Sequence, residues 1–455
     1  MPIEMVDGTK PLYIPDPNES SLVIPEGIMM IGVRMFLSKT NLKSITLPTT
    51  LKRIRASAFE KSGLESIILP TGLKSIEQFA FSKCKNLKQI YFPYSLTEIG
   101  MDAFEGTTWL ENYDGDFVIV NGMLVKYLGK EETVIVPHCV HKICDGAFMG
   151  CRTVKSVTIP KGVTYLGYKC FSFCTSLESV SLPDGLKKIG GYAFENCIKL
   201  MEVNVPYGIT TIEDHVFGFC RMLDEIFLPE SITEIQERAF MGCSSLKHIT
   251  IPSKVTVIKH NTFSSCVSLE YIYIPDNITK IESDGFSNCY NLKTVRLSSN
   301  VQELPAYAFF GAKKINTLHF LGYTIKANSI DMRRFQPNVV REMIETSDYS
   351  LKMDCCVKYS IAIQSFLESS QNEAEAYIRK NYSKIMRFLI DTDNYDSIKQ
   401  LFECGKFTAK RTTEKLLDYA IAHTQENSDP QIQLFIAEYK ARNYPSVKLF
   451  DDLSL

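Results

Sequence analysis
The stretch Ala-Phe-Met-Gly-Cys-Ser-Ser-Leu-Lys-His-Ile-Thr-Ile-Pro-Ser-Lys-Val-Thr-Val-Ile, residues 239–258, decides the fold. From Leu246 to Ile251 apolar and polar side chains come to alternate, the pattern of a short strand with one buried side. Pro252 stops that strand, because it has no N–H for a further ladder bond. Ser253-Lys254 form a polar turn, where sister stretches carry Gly162, Gly185 and Gly208, and Val255 and Ile258 then turn inward again. Ala239-Phe240 fall on the return side, which the pattern assigns to a 3₁₀ or single helical turn.

Outward from this unit the pattern recurs. Its Phe returns as Phe36, Phe59, Phe81, Phe104, Phe148, Phe171, Phe194, Phe217, Phe240, Phe263, Phe286 and Phe309, in steps of 22 or 23 residues apart from one of 44. A Pro keeps step from Pro25 to Pro275. One such unit cannot bury its own anchors, whereas stacked neighbours bury them as continuous columns, so a fixed period of this length marks a solenoid. A solenoid is one elongated domain of any length, which overrides the count of about three domains that 455 residues suggest. About twelve turns spaced ~4.8 Å apart give a parallel sheet roughly 55–60 Å long. The expected division is an N-terminal segment over 1–21, a solenoid over 22–325 and a helical region over 326–455.

Cys84, Cys151, Cys174, Cys197, Cys220, Cys243, Cys266 and Cys289 each sit three residues after a repeat Phe. Equivalent positions on successive turns form a column of thiols, which suits packing as small apolar groups in a reducing compartment.

The motif A-F-x-x-C-x-x-L-x-x-I-x-I-P, as in Ala193-Phe194-Glu-Asn-Cys197-Ile-Lys-Leu200, resembles the BspA-like class of leucine-rich repeats over roughly residues 22–320. The resemblance implies an α/β solenoid, a leucine-rich-repeat right-handed superhelix with a concave parallel β-sheet, here followed by a small all-α C-terminal region. It also implies a binding protein rather than an enzyme. Similar proteins are often bacterial and surface-attached, and are proposed to bind host proteins.

The 44-residue step conceals an insertion near 114–133. Within it Phe117-Val-Ile-Val-Asn121-Gly122-Met-Leu-Val-Lys-Tyr127 reads as strand, turn, strand, since Asn-Gly suits a two-residue hairpin turn. The hairpin is either a structural insertion or a projecting contact element. After Leu321 the period stops and helices are expected over 372–381, 397–404, from Thr412 or Thr413 through Ile421, and 431–441. The paired helices of 395–442 resemble ankyrin-type units without their Thr-Pro-Leu-His signature. This region caps the last turn, forms a second interaction module, or does both.

No zincin, serine-hydrolase, P-loop or dinucleotide-binding motif stands in the chain. His138, Cys139, His141 and Cys144 are metal-capable, but they fill the turn of a regular repeat and lack a matching second pair, so neither metal nor cofactor is expected. A formal charge of −2 gives no basic excess for nucleic acid. No apolar run approaches the roughly 18 residues of a membrane span. As written the sequence reads as cytoplasmic, or as secreted or surface-displayed if a leader was trimmed. Asn18, Asn277 and Asn381 begin glycosylation acceptor triplets that matter only on export.

What remains for function is the exposed side of the strands. Tyr91, Phe227, His248, Tyr271, Tyr273 and Arg296 stand there, on a face the core does not need. Aromatic and Arg side chains anchor protein interfaces, and they equally serve as cross-strand pairs that stabilise a sheet. The expected function is a non-enzymatic scaffold that grips a protein or peptide on its concave face. The alternative is a bacterial cell-surface adhesin for host or matrix proteins.

Overall fold
The computed structural model describes residues 19–423 and 430–445. The readings of the N-terminal 18 residues, the Asn18 triplet included, lie outside the described residues. The chain divides into two compact units, Met1–Val255 with Asn261–Cys266, and Thr256–His260 with Val267–Leu455. Both contain parallel solenoid turns, and the second continues into helices.

In the first unit the Leu-x-x-Ile-x-Ile segments form a strip of parallel strands. Ser21–Val23 pairs with Ser44–Thr46, Ser66–Ile68 with Gln89–Tyr91, and Thr133–Ile135, Ser156–Thr158, Ser179–Ser181 and Glu202–Val203 follow one another in register. The alternation sets the faces: Val157 lies on Val180 in the core, while Thr158 and Ser181 face out. The Val-x-x-Ile segments form a second parallel strip, as in Arg53–Ile54, Ser75–Ile76 and Glu98–Ile99. The sequence shows only that these residues turn inward, because two-residue strands carry no readable period.

The Phe side corrects a sequence expectation, for it is neither 3₁₀ nor α-helical. The residues two before and two after each repeat Phe from Phe36 to Phe286 are left-handed, as with Lys169 (φ 54°) and Phe173 (φ 60°) around Phe171. This alternation aims every second donor along the stack, while Cys170 and Ser172 between them donate back to Gly167 O and Lys169 O of the same turn at 3.3 and 3.0 Å. Lys169, Phe171 and Phe173 donate N–H to the carbonyls of Gly191, Ala193 and Glu195 on the next turn, at 3.0, 2.8 and 2.8 Å. A non-glycine left-handed residue costs about 1–2 kcal/mol, and these inter-turn bonds hold it in place. The rings beneath stack in parallel, Phe171 on Phe194 at 5.4 Å and 3°, Phe194 on Phe217 at 5.7 Å and 2°, within the range of offset aromatic pairs.

The thiol column does more than fill space. Cys174 Sγ donates to the Phe148 carbonyl at 3.0 Å, Cys197 to Phe171 at 3.1 Å, Cys220 to Phe194 at 3.2 Å and Cys243 to Phe217 at 3.1 Å. Each Cys therefore links its own turn to the preceding Phe through a buried weak donor.

The insertion is part of the solenoid, the structural one of the two readings the sequence left open. Phe117–Val120 and Met123–Tyr127 pair antiparallel, and Met123 and Leu124 join the second strip beside Lys142 and Ile143. Val118, Met123, Leu124 and Tyr127 are buried. Tyr127 stands 23 residues after Phe104 and occupies the ladder position. Its ring lies 5.0 Å from Phe148 and its N–H donates to Ala147 at 2.8 Å, as a repeat Phe would. The 44-residue step thus conceals a Tyr in place of a Phe. Asn121 (φ 49°) and Gly122 (φ 73°) make the tight turn, and Asn121 Nδ2 donates to Pro93 O at 2.8 Å and Leu96 O at 3.3 Å. Helix α1 (Thr108–Glu111) carries Trp109 onto Phe104, with ring centroids 5.1 Å apart. The first strip is interrupted here: among the described residues, no strand lies between Gln89–Tyr91 and Thr133–Ile135 in that strip.

In the second unit Tyr271–Tyr273, Thr294–Arg296 and Thr317–Phe320 run parallel, and Tyr323–Lys326 turns back antiparallel through Leu321-Gly322. Helices α2 (Pro337–Thr346), α3 (Cys355–Ser369), α4 (Asn372–Asp391), α5 (Tyr395–Glu403), α6 (Lys410–His423) and α7 (Gln431–Asn443) follow. Helix α4 runs ten residues past the expected stop at Asn381, whose side chain bonds back to Tyr377 O at 2.9 Å within the helix. Helix α6 begins at Lys410 rather than at a Thr cap, and Thr413 lies buried within it, donating to Ala409 O at 3.0 Å. Helix α3 covers the final strand: Gln364 Oε1 accepts from Thr324 N at 3.1 Å, and the Tyr323 hydroxyl lies 3.1 Å from Ser365 Oγ. An otherwise open sheet edge is thereby closed.

Three outcomes follow from this packing. Phe217→Ala removes one ring from the column and lowers stability by about 3–5 kcal/mol in chemical denaturation; no loss would show that the column is not core. Asn121→Ala removes the side-chain donor from the Leu96 carbonyl and one of two donors from the Pro93 carbonyl, and costs about 1–3 kcal/mol in the same assay. Burial holds Cys144 up at about 12 and raises Cys170, Cys174, Cys197, Cys220 and Cys243. Stability from such groups is complete below the unfolded thiol value of about 8.5 and falls as pH rises above it. The urea midpoint therefore drops between about pH 7.5 and about pH 9.5, and an unchanged midpoint would contradict the buried thiols.

Candidate functional site
In the strand Tyr271–Tyr273 the middle residue, Ile272, is fully buried, and the pleat turns both tyrosines outward, 42% and 40% exposed. The next two turns place Arg296 and His319 in register with Tyr273. The Arg296 guanidinium lies 4.8 Å above the Tyr273 ring, a cation–π contact across strands. His319 Nδ1 sits 3.0 Å from Thr324 Oγ1 on the strand that turns back. Burial, then the charges of Arg296 and Lys326, holds His319 below the ordinary imidazole value, so its ring is neutral near neutral pH.

These side chains line a groove of about 350 Å³ together with Tyr323 and Asp276. The Asp276 carboxylate accepts from Ser299 N at 2.7 Å and Ser299 Oγ at 2.8 Å, and those bonds hold its pKa below the usual carboxylate range. The groove thus combines three phenol rings, a guanidinium, a neutral imidazole and a carboxylate.

Of the six residues singled out in the sequence, Tyr271, Tyr273 and Arg296 come together in this groove. Phe227 and His248 lie on the exposed side of the first unit, on neighbouring turns, at single bridges to Asn204 and Glu225. Phe227 is 70% exposed. Tyr91 pairs with Ile68 six turns earlier in that unit, beyond the interruption, about 29 Å away at ~4.8 Å per turn. Tyr91 is thus not brought together with Phe227 and His248. The sequence reading missed His319, Tyr323 and Asp276. His319 was findable, since it continues the 23-residue column of Tyr273 and Arg296; the return strand bearing Tyr323 carries no repeat signal.

The His138–Cys144 stretch is built into the turns around the insertion. Cys144 is buried, and His141 packs so closely on Gly122 that a Cβ there would fall 2.5 Å from its Nδ1. Among the described residues no group of three His, Cys, Asp or Glu side chains is placed to hold a metal ion. Among them, too, no helix is long and apolar enough to cross a membrane.

The model of the BspA type leucine rich repeat region matches in six copies, over residues 16–116, 126–247 and 210–338. Solved structures that resemble the chain include a T. pallidum leucine rich repeat protein, 30% identical, covering 37% of this chain and 82% of that one, with a TM-score of 0.35. A leucine-rich repeat protein from Bacteroides ovatus is 26% identical over 67% of this chain and 66% of its own, with a TM-score of 0.33. A leucine rich cell surface protein from Faecalibacterium prausnitzii is 24% identical over 71% and 96%, with a TM-score of 0.35. No curated protein matches the chain significantly. The matched segments span well over half of the residues and follow the same Phe and Cys columns that build the turns, and the chain belongs to the BspA type of leucine-rich repeat proteins.

Proposed function
We propose that this chain is a non-enzymatic binding scaffold that holds an extended segment of a partner protein on the exposed side of the parallel strands Tyr271–Tyr273, Thr294–Arg296 and Thr317–Phe320. The observation that carries this reading is the groove of Tyr271, Tyr273, Arg296 and His319, where the repeat places outward-facing aromatic and cationic side chains that the core does not use. Rigid aromatic side chains with one polar tip anchor interfaces at low entropic cost. In this reading residues 22–325 form the binding solenoid, and residues 326–455 close its end. Export as an adhesin rests on the family likeness alone, and no side chain of the groove distinguishes a host protein from any other partner.

Tyr271→Ala combined with Tyr273→Ala tests the reading, because Ile272 keeps the core intact. A partner captured by the wild-type chain from native lysate is lost from the double variant while the thermal melt stays unchanged. Full retention of that partner would remove the groove from the interface.

A further inference from the structure
Arg296 is placed differently from several outward-facing lysines of the repeat. Lys43, Lys155, Lys247 and Lys293 each meet an acid one turn away, Glu65 at 3.7 Å, Glu132 at 2.7 Å, Asp224 at 3.7 Å and Glu270 at 3.0 Å. The register gives Arg296 other neighbours, Tyr273 on one side and His319 on the other. Among the described residues no carboxylate lies within ion-pair distance of its guanidinium, which rests on the Tyr273 ring. Its N–H donors are therefore left to the groove, oriented by the stack beneath them.

We propose that the groove is a receptor for one carboxylate side chain, an Asp or Glu on an extended segment of a partner protein, with Arg296 as its anchor. This rests on the binding role given under Proposed function and names the chemistry of what is bound. A planar guanidinium matches a carboxylate with two parallel hydrogen bonds. Its contact with the Tyr273 ring restrains that fork in advance, and Tyr271 and Tyr323 line the same groove. Asp276 decides between anions. It lines the same groove and stays ionised through Ser299, so the formal charges of Arg296 and Asp276 cancel while His319 is neutral. A singly charged carboxylate is matched by Arg296; a doubly charged phosphoryl group brings a second charge towards Asp276 with no further cation to offset it.

His319 supplies an internal reporter. The charged and titratable groups around it are Arg296 on the preceding strand, Lys326 and Tyr323 on the return strand, and Tyr273, Tyr271 and Asp276 across the groove. An anion held by Arg296 offsets that cation's field and moves the His319 titration upward.

The full chain is titrated with fluorescein-labelled hexaglutamate and hexaglutamine peptides by anisotropy, and the His319 ring is followed by NMR. Hexaglutamate binds saturably and at least about tenfold more tightly than hexaglutamine, and the His319 titration moves up with it. Inorganic phosphate competes more weakly than acetate. Arg296→Gln loses about tenfold of the hexaglutamate affinity with an unchanged melt, and Arg296→Lys recovers part of it. Equal binding of the two peptides, an Arg296→Gln chain that binds as well as the wild type, or phosphate competing better than acetate would overturn the carboxylate assignment. The two readings separate in partner capture. If the tyrosine double variant loses the partner and Arg296→Gln keeps it, the binding face stands and the carboxylate assignment falls. If the tyrosine variant keeps the partner, the binding face falls, and the hexaglutamate titration alone decides the anion site.

Discussion
The structure depends on one constraint: each turn must pass its backbone donors to the next. An open turn of 22 or 23 residues has no helix of its own to satisfy its N–H groups, and buried unpaired donors are costly. The chain meets this on all three sides. Two sides use short parallel strands, and the third uses left-handed residues that send the N–H groups of Lys169, Phe171 and Phe173 to the following turn. Once the backbones stack at that spacing, the Phe rings must stack too, and each thiol falls within reach of the preceding Phe carbonyl. Phe and Cys recur because the rung spacing leaves the same hole on every turn.

The same constraint explains what was legible in the sequence. The first strip was readable because Leu246, Ile249 and Ile251 must point inward, and the Phe column because no smaller side chain fills its place. The third side was not, since Ala-Phe flanked by Tyr192, Asn196, His215 or Phe219 gives no compositional sign of positive φ; glycine would have, and it stands at such positions only in some turns, as at Gly150 and Gly242. The insertion is legible by its position, but the sequence leaves open whether it packs inward or projects. Asn121-Gly122 announces a turn without saying whether the hairpin packs inward, and the decisive residue, Tyr127, was hidden because it is not a Phe.

For the candidate site, the column rule was both a help and a limit. It found Tyr271, Tyr273 and Arg296 as outward positions that the core does not need. It also grouped Tyr91 with Phe227, although the interruption of the first strip and six turns of spacing separate them. The groove forms where the sheet ends, since the return strand Tyr323–Lys326 raises a wall beside the last rungs.

Hydrogen exchange resolved to single amides tests the inter-turn account most directly. The Phe171, Phe194 and Phe217 amides, with those of Lys169 and Phe173, are predicted to exchange only through global unfolding, as slowly as the core strand amides of Val157 and Val180. Exchange of these turn amides at the rate of exposed loops, while the strand amides stay protected, would show that the third side is not a ladder and would contradict the account.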